Sequence, residues 1–185
     1  MAYRLSDILI IIIILLCTVQ SPMYAWFDRG LDDTLVEMRK LFNQRELVQM
    51  YDNYVHNDIK DDIIKLIIAM KTEKTDEYKI ALRLNYKNVK QYHNASSRDI
   101  LIRFFDLMRN PRYKQPSNIK NSAYLRIALS LSLLFSFLDN GMELVDKKIG
   151  LKCAMLTYKG NNFTMKIYFY YQNGKWFLTD GRQCF

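Results

Sequence analysis

Residues 163–179 read FTMKIYFYYQNGKWFLT, and their pattern decides the fold class. Phe163, Met165, Ile167, Phe169 and Tyr171 alternate with Thr164, Lys166, Tyr168 and Tyr170, the period of two that a strand with unlike faces requires. Asn173-Gly174 joins that run to Lys175–Thr179. Asn-Gly between two such runs is the strongest short hairpin signal, because both central residues of the tight turn need positive φ. The spacing pairs Gln172 with Lys175. Upstream, Lys159-Gly160-Asn161-Asn162 breaks the chain again and sets Tyr158 opposite Phe163, so residues 149–158 form the preceding strand. Residues 142–145 add a short strand before it. The end of the chain therefore predicts an antiparallel β-meander.

Further upstream the period changes. Tyr124–Leu138 is a strongly apolar run that starts at a capping Asn121 or Ser122 and stops at Asp139-Asn140-Gly141. It is shorter than the roughly 20 residues that cross a bilayer, and Arg126, Ser130, Ser132 and Ser136 interrupt it, so it predicts a buried core helix. Ser96 with Asp99 three residues on opens another helix, with Ile100, Leu101, Phe104, Phe105, Leu107 and Met108 inward, ending before Asn110-Pro111. Residues 112–117 read as a loop. Leu31, Leu35, Met38 and Phe42 recur at spacings of three and four, so Leu31–Val55 is helical with a break near Asn43-Gln44. Asp58 caps a second helix that buries Ile59, Ile63, Ile64, Leu66, Ile67 and Met70. Tyr78–Tyr86 alternates and predicts a strand with one wet face, against the helical preference of its Ala, Leu and Arg. The sum is an α+β fold: N-terminal helices, a helix–strand–helix middle and a C-terminal antiparallel meander.

This arrangement, with its Gln172-Asn173-Gly174-Lys175-Trp176 ending, resembles the exported cone-shaped domains of the NTF2-like or cystatin-like kind. The resemblance covers the C-terminal meander. It implies helices packed on a curved sheet, a pocket between them, and no fixed activity.

At the other end, a polar start containing Arg4 leads into the unbroken apolar run Ile8–Cys17, then Gln20-Ser21-Pro22 and Ala25 before Trp26. That order predicts a secretory signal peptide over residues 1–25, a secreted or periplasmic location, and one α+β domain over residues 26–185. Met23 is large for a cleavage site, so the alternative is an uncleaved anchor formed by residues 8–19. Leu16 before Cys17 argues against a lipidated cysteine. Cys153 and Cys184 remain, an even number in an oxidising compartment, which points to a disulfide. The hairpin register points the other way. It sets Cys153 opposite Tyr168 and a continued last strand would set Cys184 opposite Phe163, two strand spacings of about 4.8 Å apart and beyond the ~7 Å limit for bridged Cα atoms. A bridge requires the chain to turn back at Gly181; free thiols or an intermolecular bond are the alternatives.

The 185-residue chain carries a net charge of +8, and half of it is hydrophobic, which marks it as globular. The charge is uneven. Residues 26–70 hold six Lys/Arg against nine Asp/Glu, whereas residues 71–126 hold thirteen against five. In that middle third Lys79, Arg83, Lys87, Lys90, Arg98, Arg112 and Lys114 interleave with Tyr78, Tyr86, Tyr92, Phe104, Phe105 and Tyr113. The pattern reads either as a surface for an anionic partner or as a solvated basic face. Export argues against nucleic acid.

No phosphate-cradling glycine loop, paired-histidine helix or cysteine pair at metal spacing is present, so no catalytic, cofactor or metal residue is expected. His56 and His93 are the two histidines, Asp61-Asp62 reads as a charged first turn, and Trp176 reads as a core aromatic. Asn94-Ala95-Ser96 and Asn162-Phe163-Thr164 match the glycosylation acceptor pattern. The leading expectation is an exported, non-enzymatic module that binds a protein, a lipid or an envelope surface. The alternatives are a membrane-anchored assembly component and a small secreted enzyme using His56 or His93 in a pocket over the C-terminal sheet.

Overall fold

Helices come first in the chain and strands last. The computed structural model describes residues 25–109, 118–139, 142–160 and 163–184. The expected signal up to residue 24, the 112–117 loop with Arg112 and Lys114, and Asn162 lie outside the described residues. The helices are α1 (residues 25–43), α2 (Leu47–Tyr54), α3 (Asn57–Thr72), α4 (Glu77–Arg83), α5 (Val89–Asn94), α6 (Ser97–Met108) and α7 (Ser122–Leu138). The strands are β1 (Glu143–Ile149), β2 (Cys153–Lys159), β3 (Thr164–Gln172) and β4 (Lys175–Thr179), followed by a 3-10 turn at Arg182–Cys184. They form one antiparallel sheet in the order β1-β2-β3-β4, so the α+β class holds. No helix among the described residues is long and apolar enough to cross a membrane.

One face of the sheet is apolar and covered by helices. Leu156 and Tyr158 of β2, Ile167 and Phe169 of β3, and Trp176 and Leu178 of β4 are buried there. The Trp176 indole N–H donates to the Phe27 carbonyl of α1 at 3.2 Å. Val55 pairs in parallel with Leu178, and the His56 N–H donates to the Leu178 carbonyl at 2.8 Å, which covers the outer edge of β4. The opposite edge, β1, carries a bulge between Leu144 and Asp146 and the charges of Asp146, Lys147 and Lys148, features that keep an edge strand from pairing with other chains.

Caps set the helix starts. The Ser96 hydroxyl accepts the Asp99 N–H at 3.1 Å. Asn121 is fully buried. Its side-chain oxygen accepts the Tyr124 N–H at 2.9 Å, and its amide donates to the Met70 carbonyl at 3.0 Å. One residue thus starts α7 and ties it to the end of α3. Between β3 and β4, Gln172 faces Lys175 and both turn residues have positive φ, 51° at Asn173 and 81° at Gly174.

Four local expectations are corrected. Tyr78–Tyr86 is not a strand: α4 buries Ile80 and Ala81, Leu84 follows them inward, and Tyr78 and Leu82 face solvent. Over so few residues apolar alternation fits both periods. Glu77 in the first turn and the helix-forming Ala81, Leu82 and Arg83 decide for helix, so the described part of the middle carries helices in place of the expected helix–strand–helix order. The cap of α3 is His56, whose Nδ1 accepts the Asp58 N–H, and Ile64 lies outward. Residues 149–158 are not one strand, because the chain turns at 150–152, with the Gly150 N–H donating to the Cys153 carbonyl at 2.7 Å. Finally, Cys153 faces Tyr170 and Lys159 faces Thr164, a register two residues from the expected one. Phe163 sits in the turn, where its carbonyl accepts the Gly160 N–H at 2.9 Å. A shift of two preserves which side chains share a face, so the core is as the alternation requires.

The chain also turns back after β4. Gly181 has φ of 92°, and a Cβ there would lie 3.2 Å from the Tyr168 ring, so only glycine fits on both counts. The 3-10 turn then returns Cys184 to Cys153, and the two are bonded with their Cα atoms 5.6 Å apart. The separation expected of a straight last strand does not apply, since the strand has ended.

Replacing both cysteines by serine is expected to lower stability by about 3–4 kcal/mol, the loop-closure contribution of a 31-residue separation, measured by urea unfolding. Asn121→Ala is expected to cost about 2–3 kcal/mol in the same assay, because it removes a cap and orphans the buried Met70 carbonyl.

Candidate functional site

The basic residues of the middle third do not form one field. Lys79 and Arg83 lie on α4, Lys87 in the exposed connection after it, Lys90 on the outside of α5, and Arg98 at the start of α6. Arg98 makes a two-pronged contact with Asp52 of α2, at 2.6 and 3.3 Å. The interleaved aromatics are mostly structural: Tyr86, Tyr92, Phe104 and Phe105 are core residues. Tyr78 is the exception. It is 68% exposed, and Leu82, one helical turn on, is 65% exposed.

That turn of α4 brings Tyr78, Lys79, Leu82 and Arg83 to one side, where they line a groove of about 420 Å³ closed by Leu107 of α6 and by Asn118 and Ile119. Lys79 is fixed in place. It pairs with Asp76 at 2.6 Å and donates to the Asn118 carbonyl at 3.1 Å. The hydrogen bond from Lys79 and that from the Lys120 N–H hold the Asp76 carboxyl below the usual carboxylate range. The groove therefore offers two cations, two projecting apolar side chains and an apolar wall. Period-two reading hid it, because on a strand Tyr78 and Leu82 fall on the same face as Ile80. Leu107, Asn118 and Ile119 carry no sequence signal that links them to α4.

The two histidines are placed by carboxylates. His93 Nε2 lies 3.0 Å from Glu77 Oε1, and His56 Nδ1 lies 3.1 Å from Asp58 Oδ1. Each imidazole's polar side-chain partner is thus a carboxylate. The Thr179 hydroxyl donates to Asp58 Oδ2 at 2.5 Å. No group of three His, Cys, Asp or Glu among the described residues has metal-binding geometry. Asp61 and Asp62 border a shallow pocket beside His56, and Asp62 pairs with Arg182 at 2.7 Å. Trp176 is in the core, and Asn94 is exposed at the end of α5.

The His56–Asp58–Thr179 cluster has a structural role. The Asp58 side chain is 7% exposed. Burial pushes its carboxyl up, but hydrogen bonds from the Thr179 hydroxyl and the Ile59 N–H hold it below the usual value. The ion joins the first turn of α3 to the end of β4.

No protein-family model, curated protein or solved structure matches this chain. The likeness to cone-shaped domains therefore rests on the hairpin alone.

Because the Asp58 carboxyl is depressed in the folded state, its contribution is complete above the unfolded carboxylate value of about 4 and disappears as pH falls through the lower folded value. Urea titrations at successive pH values should show stability falling on that acid limb. Asp58→Asn should flatten the limb while lowering stability at pH 7.

Proposed function

We propose that the chain is an exported, non-enzymatic binding module whose α4 groove takes an acidic, partly apolar segment of a partner protein. The observation that carries this is the exposure of Tyr78 and Leu82 one turn apart on the same side as Lys79 and Arg83. Large apolar side chains projecting together beside cations are the anatomy of an interface anchor. Asp76 and Glu77 lie within the same turn, and this mixture of signs suits a protein partner with paired charges better than a uniformly anionic bilayer. The bonded Cys153 and Cys184 and the apolar run at residues 8–17 support an oxidising compartment outside the cytosol. If residues 8–19 stay attached, the same groove works on a membrane-anchored component; Trp26 as the new N-terminus of the exported protein distinguishes the two.

A photo-crosslinking residue at Tyr78, in the producing cells, is expected to give a discrete adduct with an acidic protein. Leu82→Glu and Arg83→Glu should each weaken that binding about tenfold or more. Leu82→Glu is an exposed change and should move the unfolding midpoint little. Flotation with phosphatidylglycerol vesicles that is lost in Arg83→Glu, without an adduct, would overturn the protein-partner reading in favour of a membrane surface.

A further inference from the structure

Three helices end beside one cleft. The last turns of α1 (residues 25–43), α6 (Ser97–Met108) and α7 (Ser122–Leu138) border a cavity of about 440 Å³, a size common among small-molecule sites. Phe42 and Phe135 meet edge to face there with centroids 5.3 Å apart, and Met108 completes an apolar wall. Ser132 and Ser136 of α7 add hydroxyls. The charged lining among the described residues is Arg45, Arg109 and Asp139.

The electrostatics select the ligand. Each helix C-terminus presents carbonyl oxygens and a partial negative charge, so three of them together oppose a simple anion. Two guanidiniums oppose a simple cation. A molecule carrying both signs satisfies the cleft: its carboxylate meets the guanidiniums, and its ammonium meets Asp139. The aromatic and methionine wall then takes an apolar side chain. We propose that this cleft binds a free α-amino acid with a large apolar side chain.

The backbone at Arg45 makes a separating variant available. Arg45 has φ of 69°, in the left-handed region, at the point where its N–H and that of Glu46 donate back to the Phe42 and Leu41 carbonyls and end α1. Glycine is the usual residue at such a helix end, because a Cβ is disfavoured there. Arg109 carries five N–H donors and meets Asp106 only at 3.7 Å, a separation that leaves it able to accept a second carboxylate.

Arg45→Gly separates binding from folding, since it deletes the guanidinium while relieving the backbone. The test is an amide-resolved NMR titration of the full chain with L-phenylalanine, L-phenylalaninamide and N-acetyl-L-phenylalanine. Saturable shifts at residues around Phe42, Met108 and Phe135 are expected for the free amino acid, with at least about tenfold weaker binding of the amide, which lacks the carboxylate, and of the acetylated form, which lacks the ammonium. Arg45→Gly should keep or raise the unfolding midpoint and weaken L-phenylalanine about tenfold, and Asp139→Asn should weaken it similarly. The proposal is overturned by the absence of saturable shifts up to about 10 mM, by equal binding of acid and amide, or by undiminished affinity in Arg45→Gly.

Discussion

The bond from the His56 N–H to the Leu178 carbonyl ties the helices to the edge of the sheet. The sheet is built from strands consecutive in sequence, whereas α7 is tied to α3 from a distant part of the chain. Helices and sheet contribute to one core, and the short link between α2 and α3 pairs with β4 through Val55. Asp58 reinforces the joint by accepting from Thr179, and Arg182 reaches the Asp58 carbonyl and the Asp62 carboxylate from the returning end of the chain. The joint also covers one sheet edge, so a single feature supplies both registry and protection from wrong pairing.

The uneven charge along the sequence becomes complementarity in the fold. The acidic opening of the domain supplies Asp28 and Asp32, both paired with Lys147 of β1, Asp52, paired with Arg98, and Asp62, paired with Arg182. In each case an early carboxylate meets a later cation from a distant element. Exposed pairs of this kind contribute about 0–1 kcal/mol each, so their importance is orientation: they favour one docking of helices on sheet over others of similar apolar contact.

What was legible in the sequence was what the chain decides locally. Ser96 and Asn121 announce their helices because the capping group lies within three residues of the N–H it satisfies. Asn173-Gly174 announces its turn because the conformational demand falls on those two residues alone. Legibility failed where distant elements decide. The alternation at Tyr78–Leu84 has no strand beside it to pair with, and Ile80, Ala81 and Leu84 find the core as a helix instead. The cysteine pair could not be read from register, because the turn at Gly181 depends on how the glycine packs against Tyr168. The α4 groove was half visible as charge, but its wall comes from α6 and from the segment before α7, and no local pattern connects them.

The strand pairing beside His56 also sets a schedule for folding. Asp58 and Thr179 are 121 residues apart, and at about 5–20 residues per second a ribosome takes roughly 6 to 24 s to cover that distance. Throughout that interval the link between α2 and α3 lacks the strand it pairs with, and Val55 has no Leu178 beside it. The meander, by contrast, joins strands that follow one another closely and can form as soon as it is made. Helices made early therefore keep part of their apolar surface uncovered until the last strand is made.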